Sequence, residues 1–351
     1  MSAAPPTKII INQTDNIGDL VLTSPLASVI KASFPNCKIV MLARRYTKPV
    51  VECCEAVDEY LDWEALDDLT DNEIVAVFKA QNASAILHIA KNRRIAKLAK
   101  KAGIPIRVGS NQRLYHWKYC SKLVPLARRN SWLHEAQLNL KLLKPFGIYR
   151  SMSLKELIPH LRFKQNLPLP EHIQKLLDPN KFNLIIHPGS HGHGREWPED
   201  HFVALINQLP SDQFNIFITG APKEEERFKK SILDRCPHAQ NLMGKMSLEE
   251  LIGFIQQSNG LIASGTGPLH LAAALGIKTL GLFPPRKGIN PRRWSPLGTQ
   301  GEFLVHKRAF LQSCLGCRDS IGCACMAKIS VAQVLAVIER WSKTEPVSAV
   351  A

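Results

Sequence analysis

A chain of 351 residues is long for one hydrophobic core, so two domains are the expectation. Hydrophobic residues make up 45% of it without any unbroken apolar run long enough to span a bilayer, which excludes a helical membrane protein. The net charge of +15 calls for an acidic partner or an anionic surface, yet no helix-turn-helix, RNP or finger pattern accompanies it, so nucleic acid is not the expected partner.

The first residues, Met1-Ser2-Ala3-Ala4-Pro5-Pro6-Thr7, lack the basic and apolar regions of a signal peptide, and a cytoplasmic location is expected. The nine cysteines are odd in number and include the adjacent Cys53 and Cys54, unlike a secreted disulfide framework.

In chain order, Lys8-Ile9-Ile10-Ile11-Asn12 reads as a strand, followed by a loop carrying Asp15, Gly18 and Asp19. A helix is predicted over 20–34, a strand over 37–43, a helix near 48–54, a short strand at 59–61 and a helix over 72–81. A buried strand at 84–88, a helix over 93–102, a strand at 106–109 and a long helix over 132–146 follow. The alternation implies a parallel sheet with helices on both faces, hence an N-terminal Rossmann-like domain over 1–150. Arg93 and Arg94 come just after the 84–88 strand, where open α/β sheets hold ligands, and arginine grips phosphate bidentately. A solvated helix start is the competing reading of these two. Lys118, Lys122, Arg128 and Arg129 form a further basic patch that suits an anionic membrane surface.

Residues 151–181 are proline-rich with one short helix at 172–177, and suit a linker. Alternation then restarts, with strands at 182–187, 215–219, 260–263 and 279–283 and helices at 199–208, 223–236, 248–257 and 269–275. A second Rossmann-like domain over 182–328 and a last helix over 331–341, within a 329–351 tail, complete the chain. The most telling stretch is 259–276. A short apolar run breaks into Ser264-Gly265-Thr266-Gly267, and Pro268 stands where a helix should begin. Glycine lets the backbone approach a ligand closely, and helix N–H groups with their dipole favour an anion. This builds a phosphate or diphosphate site, or else an ordinary βα turn. His270, in the first turn after it, can touch a phosphate or brace the loop.

Residues 15–25 (Asp-Asn-Ile-Gly-Asp-Leu-Val-Leu-Thr-Ser-Pro) and 187–198 (His-Pro-Gly-Ser-His-Gly-His-Gly-Arg-Glu-Trp-Pro) carry two further motifs. Together with Gly220-Ala221-Pro222-Lys223-Glu224 and Gly265-Thr266-Gly267-Pro268-Leu269-His270, they resemble glycosyltransferase family 9, the ADP-heptose:lipopolysaccharide heptosyltransferases. The resemblance runs from about residue 8 to 341, with the motifs in order in both halves. It implies a GT-B architecture, two Rossmann-like domains facing across a cleft, with the last helix folding back onto the first domain.

The resemblance also assigns roles. Asp19 is the base that removes the acceptor hydroxyl's proton in an inverting transfer; by position alone it caps the helix beginning at Leu20. Gly18 lets the loop pass close to substrate, and Asp15 is the alternative base. Arg195 neutralises the leaving diphosphate with Gly265, Thr266 and Gly267, stabilisation that needs neither metal nor cofactor. Glu224 holds the ribose hydroxyls, while Glu225 and Glu226 read as first-turn acids that suit the helix dipole. Gly265 departs from the family, many of whose members carry Asp there, which leaves the donor sugar open.

The implied partners are a nucleotide-diphosphate sugar and an anionic lipopolysaccharide-core glycolipid, met at the cytoplasmic face of the inner membrane. Two other readings stand: a catalytically silent sugar-nucleotide or glycolipid-binding protein of the same fold, and a GT-B-like nucleotide-sugar epimerase. Cys314, Cys317, Cys323 and Cys325 have a spacing that can hold zinc, although buried free thiols read better.

Overall fold

The computed structural model describes residues 5–128, 131–190, 192, 194–306 and 322–343. The chain divides into two compact units, 1–164 and 165–351, each built on a six-stranded parallel sheet. In the first unit the strands are β1 (Lys8–Asn12), β2 (Lys38–Ala43), β3 (Glu59–Asp62), β4 (Ala85–His88), β5 (Ile106–Ser110) and β6 (Lys122–Val124). Their order in the sheet is β3-β2-β1-β4-β5-β6. The second unit repeats the plan with β7 (Phe182–His187), β8 (Phe214–Ile218), β9 (Gln240–Asn241), β10 (Gly260–Ser264), β11 (Lys278–Phe283) and β12 (Gly301–Val305), ordered β12-β11-β10-β7-β8-β9.

The central strands are continuous apolar runs because helices cover both faces. Ile9, Ile10 and Ile11 are fully buried, as are Leu184, Ile185 and Ile186. In the first unit Ile10, Val40 and Ile86 pack with Ile74, Phe78, Ile95 and Leu98 from the helices Asp71–Ala80 and Arg93–Lys101. In the second, Leu184, Ile186 and Ile262 pack with Phe202, Ile206 and Phe228.

Two of the expected helices give way. The helix predicted over 20–34 is two helices, Ile17–Val21 and Ser24–Ser33. Pro25 has no N–H to continue the first ladder, so Thr23 becomes the N-cap of a new helix. The helix predicted over 132–146 is α-helical only at Glu135–Leu140 and tightens to 3-10 over Lys141–Phe146, around Pro145. The division between the two compact units falls inside the 151–181 stretch, between Lys164 and Gln165. Phe163 bridges to Cys54 in the first unit, while the Gln165 N–H donates to Gln256 Oε1, 2.9 Å away, in the second.

The last helix, Val331–Lys343, packs into the core of the second unit. Val334, Ile338 and Trp341 sit in that unit's core cluster, and the Trp197 indole N–H donates to the Ile329 carbonyl at 2.9 Å. The edge strands β6, β9 and β12 carry no clear alternation in sequence and were not predicted. They are short or half-exposed, which is where periodicity is weakest.

Candidate functional site

In each sheet the chain winds outward from one central strand, then jumps back and winds the other way. The reversal falls between β1 and β4 in the first unit and between β7 and β10 in the second. Open α/β sheets bind ligands outside the carboxyl ends of the strands at this switch point. The loops after β1, β4, β7 and β10 are those that carry the motif residues.

In the first unit Gly18 and Asp19 lie inside the helix Ile17–Val21, whose N-cap is Asn16. Asp19 therefore does not cap a helix beginning at Leu20. Its backbone is held firmly: the Asp19 carbonyl accepts from Thr23 Oγ1 at 2.7 Å and from Gln13 Nε2 at 3.2 Å. Thr23 Oγ1 in turn accepts from Gln13 Nε2 at 2.8 Å and from Asn139 Nδ2 at 3.1 Å, and Arg128 donates to Asn139 Oδ1 at 2.8 Å. Arg128 also pairs with the buried Glu135. The neighbouring Gln13 and Thr23 and the distant Asn139, itself tied to Arg128, thus fix one turn of helix.

Asp15 stands beside this turn. Burial pushes its carboxyl up, against the pull of Arg113, Lys91, Arg128 and Arg44. Arg113 is braced by the chain just past β4, donating to the Ala90 carbonyl at 2.9 Å and the Ile89 carbonyl at 3.1 Å. Tyr46 donates to Asn16 Oδ1 at 3.2 Å, and the Arg44 guanidinium lies 4.9 Å from its ring centre. A half-buried carboxylate amid cations can exchange a proton, and the surrounding cations can receive an anionic ligand.

Arg93 and Arg94 diverge. Arg93 is exposed at the first position of its helix. Arg94 is turned inward as a brace, donating to Asp67 Oδ1 and the Asp67 carbonyl at 2.7 Å, the Leu69 carbonyl at 2.8 Å and Asp71 Oδ1 at 3.2 Å. Its guanidinium is engaged by these groups, the arrangement of a brace, whereas the sequence leads to the expectation of a phosphate ligand.

In the second unit three loops converge. A side chain at Gly189 would collide with the Glu224 carboxylate, and a Cβ at Gly194 would lie 3.4 Å from the Gly265 carbonyl. Glu196 receives the Ser190 N–H at 2.9 Å and the Ser190 hydroxyl at 3.0 Å, and pairs with Arg227. Arg195, between Gly194 and Glu196, is buried at 6% exposure. His187 Nδ1 and Thr219 Oγ1 lie 3.0 Å apart and join the carboxyl ends of β7 and β8. Glu224 Oε2 accepts the Ala221 N–H at 3.0 Å, so this acid completes a helix cap at Pro222–Lys229.

The phosphate-loop candidate has the predicted form. β10 runs into Ser264, Thr266 is the N-cap, and the helix Gly267–Ala274 follows with Pro268 in its first turn. Thr266 makes no side-chain cap bond, and Oγ1 of Thr266 and Oγ of Ser264 are both buried without a hydrogen-bond partner among the described residues. Two hydroxyls and an open helix terminus can take an anion. His270 is buried, with Trp294 6.2 Å away, as a loop brace would be.

Phe283, which the sequence reading did not single out, explains Gly265. A Cβ at Gly265 would sit 2.9 Å from Phe283 Cε1, and one at Gly281 would strike the same ring. With this phenylalanine on β11, any side chain at 265 would force the ring or the loop to shift. Of the four proposed zinc ligands, Cys314 and Cys317 lie outside the described residues, while Cys323 and Cys325 are buried in the second unit's core. No cluster of three or more metal-ligating side chains occurs among the described residues.

The family model for glycosyltransferase family 9 (heptosyltransferase) matches residues 75–320, more than half of the chain. A Haemophilus influenzae protein, whose own assignment as a glycosyltransferase is provisional, is 28% identical, covering 83% of this chain and 86% of that one. Lipopolysaccharide heptosyltransferase 2 of Escherichia coli is 21% identical, covering 79% and 83%. Among solved structures, that of E. coli ADP-heptose lipopolysaccharide heptosyltransferase II superposes with a TM-score of 0.75 at 18% identity, covering 95% of this chain and 98% of that one. A family 9 structure from Veillonella parvula gives 0.77 at 18% identity, covering 96% and 97%. Both likenesses concern the fold, two Rossmann-like parallel sheets of the GT-B kind. The chain belongs to glycosyltransferase family 9.

Proposed function

We propose that the protein is an inverting, metal-independent heptosyltransferase that moves a heptose, or a related sugar, from a nucleotide-diphosphate donor to an anionic lipopolysaccharide-core acceptor. ADP-heptose is the proposed donor, named for the relatives described above. Asp19 is the general base, held in place through its backbone by Gln13 and Thr23. The donor diphosphate lies on the second unit, at Gly265, Thr266, Gly267 and Arg195. Charge stabilisation there comes from a helix N-terminus and a guanidinium, which neutralise the leaving group without a metal. His270 and Glu224 support the two loops, Glu224 with one oxygen already committed to its helix cap.

The observation that carries the reading is the pair of unpartnered buried hydroxyls, Ser264 Oγ and Thr266 Oγ1, at the open end of Gly267–Ala274. In the first unit, Arg93, Arg113 and Lys91 offer positive charge to the acceptor's phosphates near Asp15 and Gly18. The work is done at the cytoplasmic face of the inner membrane; among the described residues no helix is long and apolar enough to cross a membrane.

The test is incubation with ADP-heptose and a core-truncated glycolipid, following release of ADP, with and without a chelator. Release that requires both substrates and survives the chelator supports the reading. Tight nucleotide binding without turnover would favour a silent binding protein, and conversion of donor without acceptor would favour an epimerase.

A further inference from the structure

Charge in this chain is segregated to a degree that the substrate does not require. From Ile74 to His134 the sequence holds thirteen Lys or Arg and no Asp or Glu, while the rest of the chain is nearly balanced. Several of the thirteen are internal braces. Arg94 pairs with Asp67 and Asp71, Arg107 donates to the Tyr119 carbonyl at 2.8 Å, and Arg113 holds the Ile89 and Ala90 carbonyls. Lys100, Lys118 and Lys122 are different: all three are exposed and none has a carboxylate partner among the described residues. They are also neighbours in part, since Lys100 Nζ donates to the Lys118 carbonyl at 2.9 Å.

Beside them, the helix Leu114–Tyr119 is turned inside out. His116 and Tyr119 face the interior, whereas Leu114 is 89% exposed and Trp117 64% exposed. These two stand three residues apart and so share one face of the helix. The Trp117 indole N–H already donates to the Asn111 carbonyl at 2.9 Å, which leaves its apolar rings outward. A leucine and a tryptophan presented among unneutralised lysines match the boundary of an anionic bilayer, where aromatic and aliphatic groups enter at headgroup level and lysines meet lipid phosphates. Nucleic acid would satisfy the lysines and could stack on the indole, but offers nothing to an outward leucine.

We infer that Leu114, Trp117, Lys100, Lys118 and Lys122 form a membrane-docking face that seats the first unit on anionic lipid. This surface shares no residue with the proposed transfer site, and it operates whether or not the proposed transfer is correct.

The test is cosedimentation of the full chain with vesicles of phosphatidylcholine, or of equal parts phosphatidylcholine and phosphatidylglycerol, needing no sugar substrate. The wild type should bind the mixed vesicles, leave the neutral ones, and be released by salt well above about 0.15 M, where screening shortens to a few ångströms. Replacing Lys100, Lys118 and Lys122 together with Gln should weaken binding by about a hundredfold, at about fivefold per lysine. Leu114→Ser with Trp117→Ser should weaken it by about tenfold or more and leave thermal unfolding unchanged, since both side chains lie outside the core. The salt response of the wild type is a readout that no folding defect can mimic. Equal binding to both vesicle types, or wild-type partition in either variant, overturns the inference. So does an RNA oligomer bound as tightly by the Ser double variant as by the wild type while vesicles are not bound.

Discussion

At the switch point of the first sheet, the groups that meet are charged and come from far apart: Asp15 and Asp19 after β1, Arg113 leaning on the chain past β4, Arg44 after β2, and Arg128 reached through Asn139. At the switch point of the second sheet, they are mostly glycines, hydroxyls and backbone: Gly189, Ser190, Gly194, Ser264, Gly265 and Thr266. One fold has thus produced a rim suited to moving a proton and a rim suited to holding a diphosphate. The first depends on side chains whose ionisation is tuned by neighbours, the second on close approach of the main chain. Mutations should therefore separate turnover from nucleotide binding by unit.

The sharpest separation is expected at Asp19. Asp19→Ala should lower turnover by roughly two to four orders of magnitude, the usual worth of a general base, while nucleotide affinity stays within about twofold. Calorimetry with ADP and single-turnover kinetics read the two quantities. Full activity in this variant would move the base to Asp15.

Arg195→Ala should act in the opposite sense, weakening nucleotide binding by about ten- to a hundredfold, the range for a charge-assisted hydrogen bond lost from a buried position. Thr266→Ala should cost less, about tenfold, and acceptor KM should barely change in either. Unchanged nucleotide binding in both variants would deny the second unit its proposed role.

Phe283 offers a test of how the second rim is shaped. Gly265→Ala places a methyl against the ring and should weaken nucleotide binding by about tenfold, within the usual cost of overpacking. In a Phe283→Leu background the same methyl has room, so the loss should largely disappear. A loss of equal size in both backgrounds would mean that the ring does not set the loop.

The glycine loops and the helix they feed were legible in sequence because glycine and proline act locally: Gly265 to Pro268 announce a turn and a helix start within four residues. The bracing of Arg94 is not legible in sequence because its partners, Asp67 and Asp71, lie on other elements, and nothing at positions 92–95 reveals which groups its guanidinium meets. The cations around Asp15 were hidden for the same reason. Phe283 was silent because a phenylalanine ending a buried strand looks like core, and only the fold shows that its ring lies against Gly265.

The first unit should also be the acid-sensitive one. His88 and His116 stand 5.7 Å apart, ring centre to ring centre, with both Nε2 atoms buried without partners. Burial, with the charges of His116 and Arg113 in support, holds His88 down to about 3, and burial with the charge of Arg113 holds His116 down to about 4, against 6.5 for a free histidine. The unfolded chain therefore takes up protons below 6.5 that the folded one refuses. Their contribution is complete above that pH and is lost as pH falls toward 4. Asp15 works in the other direction, since its raised carboxyl favours the folded state as pH drops. Carboxylates held low, such as Asp71 and Glu73, start from 3.8 and 4.5, so a loss between pH 6.5 and 5 reports the histidines. Amide protection factors in β4 and β5, taken relative to intrinsic exchange at each pH, should fall across that window by about tenfold or more, and His116→Gln should flatten the response. A flat wild-type profile would contradict the buried neutral pair.

The smallest effect is expected at Arg94, where it is also most discriminating. Arg94 sits in the same helical turn as Arg93, yet its charge is matched by two carboxylates and two carbonyls. The pair is partly exposed, so Arg94→Ala should cost only about 0–1 kcal/mol of stability. It should leave acceptor KM where it was, because no phosphate has displaced Asp67 or Asp71. Arg93→Ala should do the converse: stability unchanged, acceptor KM raised a fewfold, and a shallower dependence of that KM on salt, since one exposed charge has been removed from the rim. Measuring both constants for both variants decides whether two adjacent arginines have divided into a brace and a ligand. Equal rises in acceptor KM would restore Arg94 as a phosphate ligand and would require Asp67 and Asp71 to release it when acceptor binds. No rise in either would place acceptor recognition on Arg113 and Lys91, the cations that already face Asp15.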